Sequence, residues 1–305
     1  MKIGILTYIY AVNHGSILQA KAVEGVMRSV YPSADIRFIN YAPHRGLYKE
    51  IKNNLINRRF ISGTMVLNKF RKVISNEMKF WGDLKVTDNY QEASEYIEEL
   101  GLDLICIGSD TVFESRPNKL GYAPFPPNIY FGNSTINSKF ISISASADRS
   151  FKKCWSTDAL ETVKKNLAAF DYISVRDRFT GEFLSDAFDI PIDSITMLPD
   201  PTFSFESPEV FKRRGYVVLD VSSRLLSKRV YNHFHEKGLT VISPMANRYS
   251  DSNLRGRIDP YQWASLYANS YCNVTNRFHG TVFSIKGGAD FVAVDESPEY
   301  ALGAK

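Results

Sequence analysis

Short apolar runs alternate with segments of helical periodicity along most of this sequence, and this alternation limits its fold more than any other feature. Residues 3–8 predict a first strand, and residues 16–30 carry apolar side chains at helical spacing. Further strands are predicted at 36–39, 102–107, 140–144 and 172–175, and further helices at 92–100 and 159–170. Because strands that alternate with helices form parallel sheets with helices on both faces, the sequence predicts an α/β fold.

A proline-rich stretch at 199–215 interrupts this alternation and ends in Lys212-Arg213-Arg214-Gly215, which is typical of an interdomain linker. The pattern then restarts, with predicted strands at 216–221, 240–243, 272–275 and 291–294 and predicted helices at 222–236, 261–268 and 280–286. A chain of 305 residues suits two domains of about 150 residues each. We therefore expect two Rossmann-like domains, at 1–205 and 206–305, that face a cleft.

In open α/β sheets, ligands bind at the carboxyl ends of the strands. The loops after residues 8, 107, 144, 175, 243 and 275 are therefore expected to line the site. The sequence contains no HExxH, GxGxxG, Walker or GxSxG motif, so it lacks the usual signatures of metal-dependent, dinucleotide-binding and P-loop enzymes and of hydrolases with a nucleophilic serine. We expect neither a metal site nor a cofactor.

Composition and the cysteines narrow the class of protein. The formal net charge is only +4, which does not indicate a nucleic-acid partner. The three cysteines form no CxxC pair, so a disulfide framework or zinc site is not expected, and Cys106 lies in an apolar run typical of a buried strand. The first residues predict a strand and not a signal peptide, and no apolar stretch is long enough for a membrane span. We expect a cytoplasmic protein.

Residues 45–81 differ from the rest of the chain because they contain nine basic side chains and only two acidic ones, with apolar residues interleaved. One interpretation is a helical excursion that packs on the first domain and leaves its charges in solvent. The other is a basic amphipathic insertion that contacts an anionic membrane surface. The first interpretation is favoured, since basic helix faces are common.

The segment Thr275-Asn276-Arg277-Phe278-His279-Gly280-Thr281 runs from the end of a predicted strand into a predicted helix. Such a helix N-terminus attracts anions, the guanidinium of Arg277 matches carboxylate or phosphate, and His279 can donate a proton near neutral pH. The alternative is that His279 caps the helix and Arg277 pairs with a surface acid. Arg176 also follows a predicted strand, at 172–175, and is a further candidate for binding an anion, and Asp177 can cap the helix that follows it.

Three weaker motifs follow other strands. In Ile107-Gly108-Ser109-Asp110, Gly108 permits close approach of a backbone, and Ser109 and Asp110 can cap a helix or bind hydroxyl groups. In Asn13-His14-Gly15-Ser16, His14 is either a ligand or a residue of the helix cap, and the structural role is favoured. Asp200-Pro201-Thr202 is predicted to be a turn in the linker.

Five of these segments together resemble the polysaccharide pyruvyl transferase family, in the order of that family and over nearly the whole chain. They are Asn13-His14-Gly15-Ser16-Ile17-Leu18-Gln19-Ala20, Ile107-Gly108-Ser109-Asp110, Ile173-Ser174-Val175-Arg176, Asp200-Pro201-Thr202 and Arg277-Phe278-His279-Gly280-Thr281-Val282-Phe283-Ser284. The resemblance implies a GT-B-like fold, phosphoenolpyruvate as donor and co-substrate, and a sugar acceptor in a surface polysaccharide, a wall polymer or a glycolipid. The product would be a pyruvate ketal.

The resemblance also assigns roles to residues. Arg176 and Arg277 match the donor-binding arginines, and His279 matches the catalytic histidine. Asp110 is a candidate to position or deprotonate the acceptor hydroxyl. The remaining expected substrate-binding residues are Asn13, His14, Gly15, Ser109, Phe278 and Gly280.

The sequence departs from the family at three places. The family often has an aromatic residue where His14 stands, and usually has Trp where Phe113 follows the Gly-Ser-Asp motif. Members also continue with further helices beyond the equivalent of Lys305, which leaves a truncated chain or a short member as explanations. Two other functions stay open: a GT-B glycosyltransferase that uses a nucleotide sugar, and a non-catalytic carbohydrate- or membrane-binding scaffold in a polysaccharide assembly complex.

Overall fold

The computed structural model of the chain describes residues 1–55, 60–114, 122–148, 150, 155–206 and 215–295, with the backbone alone for residues 60–62. The chain divides into two compact units, Met1–Asn57 with Val73–Phe205 and Arg58–Lys72 with Glu206–Lys305. Cys154, Arg58, Arg59, the basic end of the expected linker at 212–214 and the end of the chain lie outside the described residues.

The first unit is built on a parallel sheet of seven strands, and all its neighbouring strands pair in parallel. The strands are β1 (Lys2–Leu6), β2 (Asp35–Ala42), β3 (Phe80–Val86), β4 (Leu104–Ile107), β5 (Lys139–Ala145), β6 (Phe170–Val175) and β7 (Ile195–Met197). Their order in the sheet is β3-β2-β1-β4-β5-β6-β7. The strand order reverses between β1 and β4, which is the place where open α/β sheets of this kind bind ligands.

Helices connect these strands. They are α1 (His14–Val30), α2 (His44–Leu55), α3 (Phe60–Glu77), α4 (Tyr90–Glu99), α5 (Thr157–Ala168) and α6 (Arg178–Phe188). Asn13 caps α1 by accepting a hydrogen bond from Gly15 N at 3.0 Å, and Asp177 caps α6 in the same way from Thr180 N at 2.7 Å. All four residues of β4 are buried, which explains its uninterrupted apolar sequence and confirms the prediction for Cys106.

The second unit repeats the design with five parallel strands. They are β8 (Tyr216–Asp220), β9 (Thr240–Ser243), β10 (Ser252–Asn253), β11 (Cys272–Thr275) and β12 (Asp290–Ala293), in the order β10-β9-β8-β11-β12. The helices are α7 (Arg224–His235), α8 (Pro260–Ala268) and α9 (Phe278–Gly287). Here the strand order reverses between β8 and β11, so the ends of these strands are the expected ligand-binding edge.

The predicted strands and helices are all present, with ends that differ by a few residues. The strands β3, β7 and β10 were not predicted, and α6 was anticipated only through its cap at Asp177. The segment 45–81 forms α2, α3 and the start of β3, and Val66, Phe70, Val73 and Ile74 of α3 are buried. Of the helices within the described ranges, none combines the length and apolarity needed to cross a bilayer.

Candidate active site

A buried carboxylate, Asp200, organises the carboxyl edge of the first sheet. Arg176 follows β6, and its Nη1 donates to Asp200 Oδ2 at 3.2 Å; the Asp200 side chain is 0% exposed and that of Arg176 is 11% exposed. The same oxygen accepts from Gln19 Nε2 of α1 at 2.7 Å. A buried charge is stable only when it is paired and hydrogen-bonded, so this network fixes the guanidinium of Arg176 at the sheet edge.

The second carboxylate oxygen of Asp200 is also hydrogen-bonded by protein groups. Its Oδ1 accepts from Thr202 N at 3.0 Å and from Thr202 Oγ1 at 2.6 Å. Ser109, at the end of β4, accepts from Gln19 Nε2 at 2.6 Å and donates its hydroxyl to Ser144 O at 2.8 Å. The segment Asp200-Pro201-Thr202, predicted to be a turn in the linker, begins a 3₁₀ turn at Pro201–Phe203 and also brings a buried carboxylate to this network.

Asp110 lies on the same edge as Arg176, and β5 runs between the strands that these two residues follow. It forms an isolated parallel bridge with Ala145, and the carbonyl of Ala145 accepts from Arg176 N at 3.1 Å. Asp110 and Arg176 therefore flank the same residue at the end of β5. Asp110 Oδ2 accepts from Ser16 Oγ at 2.6 Å and Oδ1 from Thr111 N at 2.8 Å, so both oxygens are held.

The backbone at Asp110 has φ 90°, which side chains other than glycine adopt at a cost of about 1–3 kcal/mol. Asp and Asn tolerate positive φ better than other residues, because their short side chains can bond the local backbone. Here the bond from Thr111 N to the carboxylate provides that support. The turn thus places the carboxylate between Ser16 Oγ and Thr111 N.

Tyrosines surround the ends of β1 and β2 beside Asp110. The ring of Tyr8 lies 4.7 Å from that of Tyr122 and 5.0 Å from that of Tyr130, centroid to centroid. Burial raises the pKa of Tyr8 and Tyr130 well above the usual value. Burial also raises the pKa of the Glu50 carboxyl on α2. Tyr8 and Tyr130 are 3% and 0% exposed, so these rings belong to the core that supports the strand ends beside Asp110.

In the second unit, Asp220 at the end of β8 is the acidic centre. Tyr267 Oη of α8 donates to Asp220 Oδ2 at 2.6 Å, and Arg277 Nε lies 3.8 Å from the same oxygen. Burial, followed by the charge of Asp220, raises the pKa of Tyr267 well above its usual value. Tyr267 therefore stays protonated and donates to Asp220, while half of the Arg277 side chain remains open to solvent.

The helix α9 begins one residue after Arg277. Arg277 is its N-cap without a side-chain capping bond, and Arg277 N donates to Thr275 Oγ1 at 3.0 Å. His279 lies in the first turn and is 7% exposed, whereas Phe278 is 49% exposed. An arginine and a histidine thus stand at a helix N-terminus, where backbone N–H groups favour an anion.

Gly280 permits the close packing of this helix start. A Cβ atom at Gly280 would lie 2.6 Å from Tyr267 Cε1 and 2.9 Å from Thr275 Oγ1. The absence of a side chain therefore lets α9 approach α8 and β11. Gly280 supports the position of His279 through backbone geometry.

The structure places each residue expected at the site at a carboxyl strand end or in the helix after it. In the first unit, Asn13, His14 and Gly15 start α1, and Ser109, Asp110 and Arg176 follow β4 and β6. In the second unit, Arg277, Phe278, His279 and Gly280 start α9. Phe113 is fully buried and stacks on Phe131 at 5.1 Å, so it belongs to the core.

Gln19 and Asp200 lie in segments that carry the family resemblance but received no role at the site, and Asp220 and Tyr267 were not singled out by any sequence pattern. A signal was present for the two acids, because each follows a strand or a proline-flanked turn at the ligand-binding edge. Within the described ranges, no cluster of three or more His, Cys, Asp or Glu side chains could hold a metal ion.

Solved structures with a similar fold include UDP-N-acetylglucosamine 2-epimerases. A UDP-N-acetylglucosamine 2-epimerase matches with a TM-score of 0.57 and 12% identity, over 99% of this chain and 80% of that chain. The UDP-GlcNAc 2-epimerase from Neisseria meningitidis, bound to UDP-GlcNAc, matches with a TM-score of 0.51 and 11% identity, over 99% and 85% of the two chains. At this identity the likeness concerns the fold alone.

Two parallel Rossmann-like sheets, each with charged residues at the carboxyl ends of its strands, define a protein of the GT-B fold type. No curated protein matches the chain significantly. The family model described as polysaccharide pyruvyl transferase matches residues 13–298. The chain belongs to this family and is a transferase of polysaccharide biosynthesis.

Proposed function

We propose that this protein transfers pyruvate from phosphoenolpyruvate to a sugar of a surface polysaccharide or a lipid-linked oligosaccharide and forms a pyruvate ketal. Membership of the family supports the reaction class. The observation that carries the proposal is that Asp110 and Arg176 flank Ala145 at one sheet edge. A carboxylate suited to a hydroxyl group and a cation suited to an anionic donor are thereby neighbours.

The donor requires cations and an acid. Phosphoenolpyruvate carries a carboxylate and a phosphate, and the planar guanidinium groups of Arg176 in the first unit and of Arg277 in the second each match such an anion. In this scheme His279 gives a proton to the methylene carbon, and the adjacent carbon becomes oxocarbenium-like. The arginines stabilise the donor anion during this step.

The acceptor supplies two hydroxyl groups. The first attacks the oxocarbenium-like carbon and loses its proton to Asp110. Inorganic phosphate then leaves and takes up that proton, and the second hydroxyl attacks the same carbon, closes the ketal ring and returns a proton to His279. Each product molecule thus accounts for one phosphoenolpyruvate, one diol and one released phosphate. Membership of the polysaccharide pyruvyl transferase family favours a sugar as the diol.

The test is incubation with phosphoenolpyruvate and a panel of free and lipid-linked oligosaccharides. Phosphate release is measured together with the mass of the acceptor. We expect acceptor-dependent phosphate release and a product that has gained one pyruvate ketal. Absence of phosphate release with every acceptor, combined with no binding of phosphoenolpyruvate, would contradict the proposal.

Thermal-shift titration separates this function from the nucleotide-sugar and scaffold alternatives. Ligands that bind only the folded state raise the melting temperature. We expect stabilisation by phosphoenolpyruvate in the absence of any UDP-sugar. Stabilisation by UDP-sugars alone would favour a glycosyltransferase, and stabilisation by neither ligand would favour a scaffold.

We also propose that the protein contacts the cytoplasmic face of an anionic membrane through α2, while α3 of the same basic segment packs inward through Val66 and Phe70. On α2, Tyr48 and Ile51 are 58% and 39% exposed, and the exposed Lys52 lies on the same helix face. Such a face combines apolar anchors with a cation. Sedimentation with phosphatidylserine-containing vesicles tests the assignment at low and high salt.

The test variant for this assay is the double substitution Tyr48→Ser and Ile51→Ser, and the control is Met197→Ser. Met197 is exposed on the edge strand β7. We expect the wild type and the control to pellet at low salt and the double variant to remain in solution. No pelleting of the wild type at low salt would refute membrane contact.

A further inference from the structure

Three cations lie together at the carboxyl ends of β8 and β9. Arg224 and Lys228 are four residues apart near the start of α7, so they occupy one helix face. Arg248 lies in the loop after β9, and its guanidinium carbon is 5.2 Å from the ring centroid of Tyr249. Asn247 Nδ2 donates to Ser227 Oγ at 3.1 Å and ties this loop to α7. We call these three cations and Tyr249 the Tyr249 cluster.

The charge of the Tyr249 cluster is uncompensated. Arg224, Lys228 and Arg248 are exposed, and none of them forms an ion pair with any described residue. The acid of the same loop, Asp251, is engaged elsewhere: it accepts from Val241 N at 2.8 Å and from Tyr231 Oη at 3.0 Å. Arg277, one strand away, differs because it pairs with Asp220.

The pKa of the Tyr249 hydroxyl is lowered by the cations around it. The Arg224 side chain, which bonds its hydroxyl, lowers the pKa of Tyr249, and the charges of Arg248 and Lys228 act in the same direction. Positive charge is therefore concentrated on one point of the surface. The N-terminus of α7, which Ser223 caps by accepting from Leu226 N, adds the positive end of the helix dipole to the same side of the unit.

We propose that the Tyr249 cluster binds the diphosphate group of a sugar acceptor. Three cations match the charge of two linked phosphates better than that of a single carboxylate, and arginine binds phosphate oxygens in a bidentate manner. The cluster lies at the carboxyl edge of the second sheet, where ligands of such folds bind. The identity of the ligand as the acceptor rests on the proposed function, whereas the diphosphate site itself does not.

Calorimetric titration of the full chain with inorganic pyrophosphate tests the site. The test variant is Arg224→Gln with Arg248→Gln. The control is Arg229→Gln with Lys237→Gln, which removes the same charge from exposed positions at α7 and its end. Since charge-assisted hydrogen bonds are lost, we expect the test variant to bind pyrophosphate about ten-fold or more weakly. The control should match the wild type, and added salt should weaken binding in both.

Two results of this titration would overturn the site. One is an equal loss of pyrophosphate affinity in the test and control variants, because net charge alone would then explain binding. The other is the absence of pyrophosphate binding by the wild type. Circular dichroism melting of all variants shows that each is folded.

Steady-state kinetics with one sugar in three forms identifies the source of the diphosphate. The forms are the free sugar, the sugar on a nucleoside diphosphate and the sugar on a prenyl diphosphate. We expect the ratio of KM for the diphosphate-linked forms to KM for the free sugar to rise in the test variant and not in the control. The form with the larger rise is the acceptor class, and an unchanged ratio for both forms would refute the assignment to the acceptor.

These outcomes are distinct from failure of the proposed function. If the wild type neither binds phosphoenolpyruvate nor releases phosphate, yet loses pyrophosphate binding in the test variant, the proposed function is wrong and the diphosphate site stands. If phosphoenolpyruvate and pyrophosphate lose affinity equally in the test variant, the two ligands share one site and the separate diphosphate site is refuted.

Discussion

Arg176 Nη1 lies 3.2 Å from Oδ2 of Asp200, a carboxylate with no solvent exposure. The pair links the end of β6 to the turn that follows β7, and Gln19 of α1 joins it at 2.7 Å. Three elements thus hold one guanidinium. Because the bonds of Asp200 fix Arg176 before any ligand arrives, little ordering is left for the donor to induce.

Asp200→Asn is the first test of this relationship. The amide can still accept from Thr202, but its NH₂ group would face the donors of Arg176 and Gln19. Breaking one side of a buried ion pair costs about 3–5 kcal/mol, so we expect a lower free energy of unfolding and weaker binding of phosphoenolpyruvate. Urea denaturation and calorimetry measure the two effects.

Asp189→Asn is the matched control for Asp200→Asn. Asp189 pairs with Lys164 on the surface, and its left-handed backbone suits Asn. A surface change of this kind alters stability by about 0.5 kcal/mol or less. Undiminished affinity for phosphoenolpyruvate in the Asp200 variant would show that Asp200 does not position Arg176 for the donor.

His279→Ala and Arg277→Ala test the chemistry in the second unit. The loss of a preorganised group that stabilises a transition state lowers the rate by about two to three powers of ten. We expect phosphate release from phosphoenolpyruvate to fall below detection in both variants while the proteins stay folded. His233→Ala, at an exposed histidine of α7, is the control and should retain activity. Near wild-type turnover in either test variant would exclude that residue from catalysis.

The arrangement of this site could be predicted only in part from the sequence. Arg176, Arg277 and His279 stood out because each follows an apolar run that forms a parallel strand, and such strand ends share one edge of a sheet. Asp200 did not stand out, since its partners lie 24 and 181 residues away, at Arg176 and Gln19. The hydrophobic periodicity of a segment depends on its own residues only, so it cannot predict contacts that arise when the strands assemble into a sheet.

The missed strand β3 has a similar explanation. Its residues are intermediate or exposed throughout, with Gly82, Asp83 and Lys85 in its interior. Strand patterns are recognised by buried apolar runs or strict alternation, and β3 has neither. Its place is given by pairing with β2, which is a tertiary contact. The start of helix α6 was easier to predict, because Asp177 caps it through a hydrogen bond from Thr180 N, only three residues away in sequence.

Gly280→Ala tests whether close packing positions the start of α9. The added methyl would meet Tyr267 and Thr275 at 2.6 and 2.9 Å, so the helix must shift. Overpacking of this kind costs about 1–3 kcal/mol, and we expect a lower melting temperature together with reduced phosphate release. Activity matters here because His279 is the preceding residue.

The control for Gly280→Ala is Gly25→Ala in α1, where a Cβ would meet no atom within 4 Å. Alanine favours the helix over glycine by about 1 kcal/mol, so this change should raise the melting temperature without loss of activity. A Gly280 variant as stable and active as the wild type would show that α9 tolerates the displacement.

Asp110→Asn separates the acceptor step from donor binding. Asparagine tolerates the positive φ of this position and keeps one oxygen for Thr111 N, so the fold should persist. Loss of a general base lowers the rate by about 10²–10⁴. We expect slow ketal formation with unchanged affinity for phosphoenolpyruvate. Wild-type rates of ketal formation would remove Asp110 from the mechanism, and Asp83→Asn on β3 serves as the exposed control.

The pH dependence of stability tests the buried tyrosines. Burial raises the pKa of Tyr8, Tyr130 and Tyr267 in the folded state, whereas the unfolded chain ionises near its usual value of about 10. The folded state therefore keeps protons that the unfolded state releases. Their contribution is complete below about pH 10 and is lost as the pH rises above it, by about 1.4 kcal/mol per pH unit for each tyrosine.

Tyr130→Phe isolates one of these groups. Among the described residues no hydrogen-bond partner reaches the buried Tyr130 hydroxyl, so its removal should leave stability at neutral pH equal or higher. Above about pH 10 the free energy of unfolding should fall less steeply in the variant, by one tyrosine's share. Urea denaturation across the alkaline range measures this slope, with Tyr271→Phe at an exposed position as control. Identical slopes in the wild type and the Tyr130 variant would mean that Tyr130 ionises as readily in the folded as in the unfolded chain.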